Sequence, residues 1–257
     1  MTRFLDNRRP LLCAMVQDTT PDQMICTIMD SLYDGAEAFG IQLENLLPEY
    51  RNEETLQKIF KHCEGKPIYL TSYRGNGSKG LSDEECVDFL LMGLRAGVGL
   101  SPVICDVMGD LFCKETDQLT FDGTALAKQR ALIARIHEAG GEVLISVHLS
   151  RFFRQNEVLA YAREQKARGA DIVKIVNKTN GEDEMMENLH TIHALKKELG
   201  ETPFLFLASG TGGHTVRQMG PALGVCMYLC TVRYYPVTAK QQPKLRSAKA
   251  IRDNMFL

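Results

Sequence analysis

The segment GADIVKIVNKTN, Gly169 to Asn180, sets a lysine between two apolar residues, Ile172 and Val176, that share its side of a pleat. An ammonium group buried there costs several kcal/mol unless it is paired or gives up its proton. Two placements fit this window. One is an edge strand from which Lys174 snorkels to water; the other is a closed barrel that holds it near the C-terminal end of an inward face. In the barrel the amine is desolvated enough to lose its proton near neutral pH, and a neutral amine is a nucleophile toward ketones. His148 ends an earlier apolar run, EVLISVHL, with Ser146 on the same face two residues before it. At a strand C-terminus one unit before the lysine it could serve as general base; the plain alternative is a core histidine bonded to backbone.

Ser209 to Arg217, SGTGGHTVR, reads as an anion-binding loop feeding a helix N-terminus, or as a simple turn. Gly75, Gly77 and Gly80 have GxGxxG spacing, but they follow the third strand rather than the first, so a glycine-rich loop fits better than a dinucleotide fingerprint. His190 and His193 lie three apart on a polar helix with no further ligands near them in sequence, a helix surface rather than a metal site. No metal is expected.

These residues need a scaffold, and the chain alternates throughout. Apolar runs of strand length occur at Leu11 to Val16, Ala38 to Leu43, Pro67 to Tyr73, Pro102 to Met108, Glu142 to Leu149, Asp171 to Val176, Pro203 to Ser209 and Gly224 to Val232. Between them lie segments of helical period, such as LSDEECVDFLLMGLRAG, where Ser82 and Glu85 form a capping box. Glycines before the next strand, as in HEAGGEVLI and ARGADIVKI, supply the left-handed cap where a helix turns back into a parallel strand. Eight such units predict an α/β chain folded as one (β/α)8 TIM barrel over residues 1–257, with a doubly wound open sheet as the alternative.

The bulk numbers agree. A chain of 257 residues with 44% hydrophobic content can bury a sizeable core, and a net charge of −2 shows no basic excess that would point to nucleic acid or an anionic membrane as a partner. The eight cysteines have neither a CxxC pair nor a regular framework and read as reduced core residues of a cytoplasmic protein. No run of about 18 uncharged apolar residues occurs, so no membrane span is expected.

Arg74 after strand three, His148 on strand five, Lys174 on strand six, Arg217 after strand seven and Gln242 after strand eight together resemble the type I 3-dehydroquinate dehydratases, in order and spacing, over nearly the whole chain. The specific matches are GADIVKIV around the lysine and a histidine 26 residues upstream of it. The resemblance implies a cytoplasmic, usually homodimeric barrel of the shikimate pathway that dehydrates 3-dehydroquinate through an imine on Lys174, with His148 moving protons and with neither metal nor cofactor. It assigns Arg217 to the carboxylate of the ketone substrate and Gln242 with Thr238 to a closing loop, Gln241 being nearly as good as Gln242. Arg74 in TSYR would match a Thr-x-Arg that helps fix the substrate. Ser209, Gln42 and Glu44 complete the expected substrate shell.

Departures from that family concern the polyol side. IQLENL puts Gln42 and Glu44 where the family has Glu-Trp-Arg; Ser78 stands in the region where a glutamate partners the histidine; the usual Asp-x-Glu of strand four is Asp106 and Met108; and HLSRFF replaces His-Asp-Phe. Glu44 is then a candidate partner for His148. Two other readings stay open: a divergent imine-forming lyase or aldolase for another carboxylated ketone, and a barrel that binds ligand without catalysis.

Overall fold

A computed structural model describes residue 5 and residues 9–75, 80–235, 238 and 240–255. Asn76 to Lys79, including Gly77 and Ser78, lie outside the described residues. Eight parallel strands alternate with eight helices: β1 Leu11–Val16, α1 Pro21–Tyr33, β2 Ala38–Gln42, α2 Glu53–Lys61, β3 Ile68–Thr71, α3 Asp83–Gly97, β4 Val103–Met108, α4 Gly123–Glu138, β5 Glu142–His148, α5 Gln155–Ala167, β6 Ile172–Thr179, α6 Glu182–Leu199, β7 Phe204–Gly210, α7 Gly213–Leu223, β8 Met227–Cys230 and α8 Leu245–Met255. The strands hydrogen-bond in the order β7-β6-β5-β4-β3-β2-β1-β8, every pair parallel. The Cys226 N–H donates to the Phe204 carbonyl at 3.0 Å and bridges the two ends of that series. This is a nearly closed (β/α)8 barrel, and the open sheet is excluded.

Strand residues are buried on both faces because side chains point alternately to the barrel axis and to the helical layer. Gly40 makes room on the axis. A Cβ there would lie 2.2 Å from Met15 Sδ and 3.2 Å from the Tyr69 ring, so its absence lets those side chains cross the interior. The expected capping box at Ser82 and Glu85 starts α3. Strand β6 runs three residues further than its apolar pattern, to Thr179, while β3 stops at Thr71, two residues before Tyr73.

Two buried arginines fix opposite ends of the barrel. Arg252 of α8 bonds the Pro10 carbonyl at 3.3 Å and pairs with Glu37, tying the last helix across the base. Arg168 donates to the carbonyls of Gly109 and Thr120 at 2.9 and 2.6 Å, and so pins the loop between β4 and α4 at the C-terminal rim. Among the described residues, no helix is long and apolar enough to cross a membrane.

Candidate active site

A cavity of about 290 Å³ opens at the C-terminal ends of the strands, large enough for a small metabolite. Its wall repeats every second residue, as inward positions must: Met15 and Gln17 on and just after β1, Tyr69, Thr71 and Tyr73 on and after β3, Lys174, Val176 and Lys178 on β6, Leu207 and Ser209 on β7. Gln42, His148, Arg217 and Gln242 complete its polar lining.

Lys174 is an inward barrel residue, only 3% exposed, and the edge-strand placement is wrong. Of the two remedies open to a buried ammonium, the structure supplies a partner. Its Nζ lies 3.1 Å from Asp106 Oδ2 and donates to Tyr69 Oη and Tyr73 Oη, both at 2.8 Å. Asp106 is buried in turn and fully engaged. Tyr69 and Tyr73 donate to Oδ2, the latter at 2.5 Å, while Ser146 donates to Oδ1 at 2.5 Å. Register explains the convergence, because Ser146 pairs with Lys174 across β5 and β6, and Asp106 with Leu144 across β4 and β5. Burial, then the Asp106 charge, pushes both phenols well above their usual range, so they stay protonated and can donate.

His148 ends β5 beside this cluster, its ring meeting Tyr73 edge-on at 5.4 Å between centroids. Gln118 Oε1 accepts from the His148 backbone N–H at 2.8 Å and lies 3.2 Å from Nδ1. That contact places the proton on Nδ1 and leaves Nε2 as the acceptor. Gln118 holds φ at 54°, a left-handed conformation that a glutamine adopts at a cost, in the loop that Arg168 pins. Burial, with the Lys174 charge next, lowers the His148 pKa to about 3, so the ring is neutral at physiological pH.

Arg217 leaves the N-terminal half of α7 and is 7% exposed. Its Nε donates to the Ala208 carbonyl at 2.8 Å, which fixes the guanidinium plane; among the described residues no carboxylate pairs with it. Burial alone lowers its pKa to about 10, so it remains charged at neutral pH while poorly solvated. An anion in the cavity would relieve that cost. The loop before α7 is built for this approach, with Gly210 and Gly212 at φ of 97° and 80°. Ser209 lines the same wall, and so does Lys178, which adds a second cation.

The remaining sequence candidates divide. Gln242 lines the cavity with Oε1 buried and, among the described residues, without a hydrogen-bond partner, whereas Gln241 packs its Cγ over Gly213 at the start of α7. Thr238 acts at one remove: it donates to Gln17 Oε1 at 2.6 Å, and Gln17 Nε2 donates to Gln42 Oε1 at 2.8 Å. Arg74 does not line the cavity. It is held by Asp83 and Asp110, and Tyr73 occupies the inward position instead. Glu44 is also outside the lining, where it accepts from Thr71 Oγ1 at 3.0 Å, so the partner of His148 is Gln118 and not Glu44. Burial raises the Glu44 pKa to about 7.

Tyr69, Tyr73, Asp106, Gln17 and Gln118 are the site residues missing from the sequence-based set. Asp106 carried a usable signal, since a carboxylate inside the apolar run PVICDVM poses the same problem as Lys174 and the two solve it together. His190 and His193 fall on α6, and among the described residues no group of three or more His, Cys, Asp or Glu could hold a metal ion.

Comparison with known proteins gives one family. The model of the type I 3-dehydroquinase family matches residues 12–255. The fold is similar to 3-dehydroquinate dehydratase from Geobacillus kaustophilus HTA426, at TM-score 0.81 and 16% identity over 98% of this chain and 93% of that one. A type I 3-dehydroquinate dehydratase from Clostridium difficile, covalently modified with comenic acid, gives TM-score 0.81 and 16% identity over 98% and 94% of the two chains. The enzyme from Enterococcus faecalis gives 0.77 and 15% over 97% and 95%. No curated protein matches the sequence.

Proposed function

The chain belongs to the type I 3-dehydroquinase family, and from that premise we propose that it dehydrates 3-dehydroquinate to 3-dehydroshikimate through an imine on Lys174, with no cofactor. The observation that carries this reading is that a buried lysine amine shares one cavity with Arg217, a buried arginine with no carboxylate partner among the described residues. The guanidinium takes the substrate carboxylate and thereby sets the ketone over Lys174 Nζ.

Attack by the amine and loss of water leave a protonated imine, an electron sink that acidifies the neighbouring carbon. Asp106, which balanced the ammonium, then balances the iminium. His148 Nε2 takes the α-proton, and the enamine expels the β-hydroxyl as the same ring returns a proton to it. Water then hydrolyses the conjugated iminium and frees the lysine.

Gln42, Thr71 and Tyr73 give the polyol side a neutral wall, unlike the acid and arginine of the family pattern, and this favours one alternative: the same chemistry on a different carboxylated ketone. Ultraviolet absorbance of the conjugated product during incubation with 3-dehydroquinate decides. Rapid formation supports the dehydratase, and none, with ketone adducts still forming at Lys174, supports the relative. A homodimer in the cytoplasm belongs to the same reading.

A further inference from the structure

Imine formation has its own proton traffic, and His148 is not the group in contact with the nitrogen. The ammonium must lose two protons and the ketone oxygen must gain two before water can leave. Among the described residues, only Tyr69, Tyr73 and Asp106 hydrogen-bond to Lys174 Nζ through side-chain atoms. Asp106 is 1% exposed and absent from the cavity lining, so it cannot meet the ketone. Tyr69 reaches the cavity wall but is as buried as Asp106 and lies on β3 itself, one inward layer below Thr71. Tyr73 stands above that layer, lines the cavity, touches the His148 ring, and joins Nζ at 2.8 Å to Asp106 Oδ2 at 2.5 Å.

We propose that Tyr73 is a catalytic residue that relays the protons of imine formation and hydrolysis between Lys174 Nζ, the Asp106 carboxylate and the ketone oxygen. The inference rests on the imine-forming reading and extends it. In the first step the ammonium gives one proton to Asp106, leaving a neutral amine and a neutral carboxylic acid. The nitrogen lone pair bonds to the carbonyl carbon while the C=O π pair moves to oxygen. Tyr73 protonates that oxygen and recovers a proton from the new N–H, giving a neutral carbinolamine. In the second step the proton on Asp106 passes through Tyr73 to the hydroxyl, the C–O bond breaks, and the lone pair on nitrogen forms the iminium. Three ammonium protons thus become one on the iminium and two on water, and Asp106 ends as a carboxylate beside a cation, as it began. Tyr69 lies one inward layer deeper than Tyr73 and holds Asp106 and Nζ in place, a positioning residue.

Tyr73→Phe removes only the hydroxyl. The test compares borohydride trapping rates at Lys174, by whole-protein mass, in the wild type, Tyr73→Phe and His148→Ala, with 3-dehydroquinate and with pyruvate as a small keto-acid probe. The relay predicts that Tyr73→Phe slows trapping of both ketones by about 10²-fold, as loss of a general acid-base group does, while His148→Ala traps near the wild-type rate. With 3-dehydroquinate, the deuterium isotope effect on α-proton loss should also shrink in Tyr73→Phe, because an earlier step has become limiting. Trapping in a folded Tyr73→Phe variant within twofold of wild type overturns the proposal, as does a wild type that traps neither ketone. A wild type that traps pyruvate at Lys174, slowed in Tyr73→Phe, but never turns over 3-dehydroquinate keeps the relay and removes the dehydratase reading.

Discussion

Glu44→Gln should make the protein more stable at alkaline pH and leave it unchanged in acid. Glu44 is 2% exposed, its side chain is hydrogen-bonded by Thr71, and burial raises its pKa from 4.5 to about 7. Since the folded-state value is the higher, the folded chain keeps a proton that the unfolded chain releases between these pH values. The stability is fully present below pH 4.5 and is lost as pH rises through 7. At roughly 1.4 kcal/mol per pH unit, the cost above pH 8 reaches about 3 kcal/mol. Glutamine keeps an acceptor for Thr71 and has no proton to lose, so the variant should exceed the wild type by that amount at pH 8.5. In a barrel of this size that is on the order of 6–12 °C in Tm. Calorimetric melting of both proteins at pH 4.5, 6, 7.5 and 8.5 measures the difference, which should grow steadily from near zero. A variant that melts below wild type at pH 8.5 would refute the reasoning, because it would make the ionised Glu44 a stabilising charge.

Arg217→Ala should cost about 3 kcal/mol of transition-state binding, read mainly as KM, since two charged hydrogen bonds are lost; Arg217→Lys should recover little, and a near-normal KM would place the carboxylate elsewhere. Arg74→Ala should do the reverse, leaving KM within a few-fold while lowering stability by about 3 kcal/mol, because Asp110 is 3% exposed at its side chain and loses its cation; a large KM effect with unchanged melting would return Arg74 to the substrate. The kcat/KM profile should lack the acid limb of an ordinary histidine. With the His148 pKa near 3 the ring stays neutral down to about pH 4, whereas a free imidazole would be only about 3% neutral at pH 5; initial rates from pH 5 to 8 distinguish the two.

The barrel was legible because its signals are local. Each strand is an apolar run of strand length, and glycines such as Gly140 and Gly169, both at positive φ, end helices where the sequence placed the turns. Lys174 and His148 were legible for the same reason, each standing out within its own apolar run, whereas Arg217 was assigned by the family resemblance rather than by its own segment. Asp106, Tyr69 and Tyr73 come from two other strands, and their meeting depends on barrel closure and register, which no single window contains. A tyrosine in an apolar strand such as Tyr69 is indistinguishable from core until Gly40 is seen to open the axis for it. Gln118 was hidden differently: it lies in an irregular loop whose path is set by Arg168 from a distant helix end. Arg74 was misplaced by one residue of phase. Thr71 points inward, so two residues on it is Tyr73 that shares its side, and Arg74 turns away to Asp83 and Asp110.

The central claim is that Lys174 carries the substrate as an imine. Incubation with 3-dehydroquinate and borohydride, followed by digestion and peptide mass mapping, tests it at the atom concerned. The account predicts a reduced adduct on the peptide containing Lys174, absent in Lys174→Ala and more abundant in His148→Ala, whose elimination step should be slower by roughly 10²–10⁴. Product formation with no adduct under borohydride, or an adduct on Lys178 with Lys174 unmodified, would contradict it.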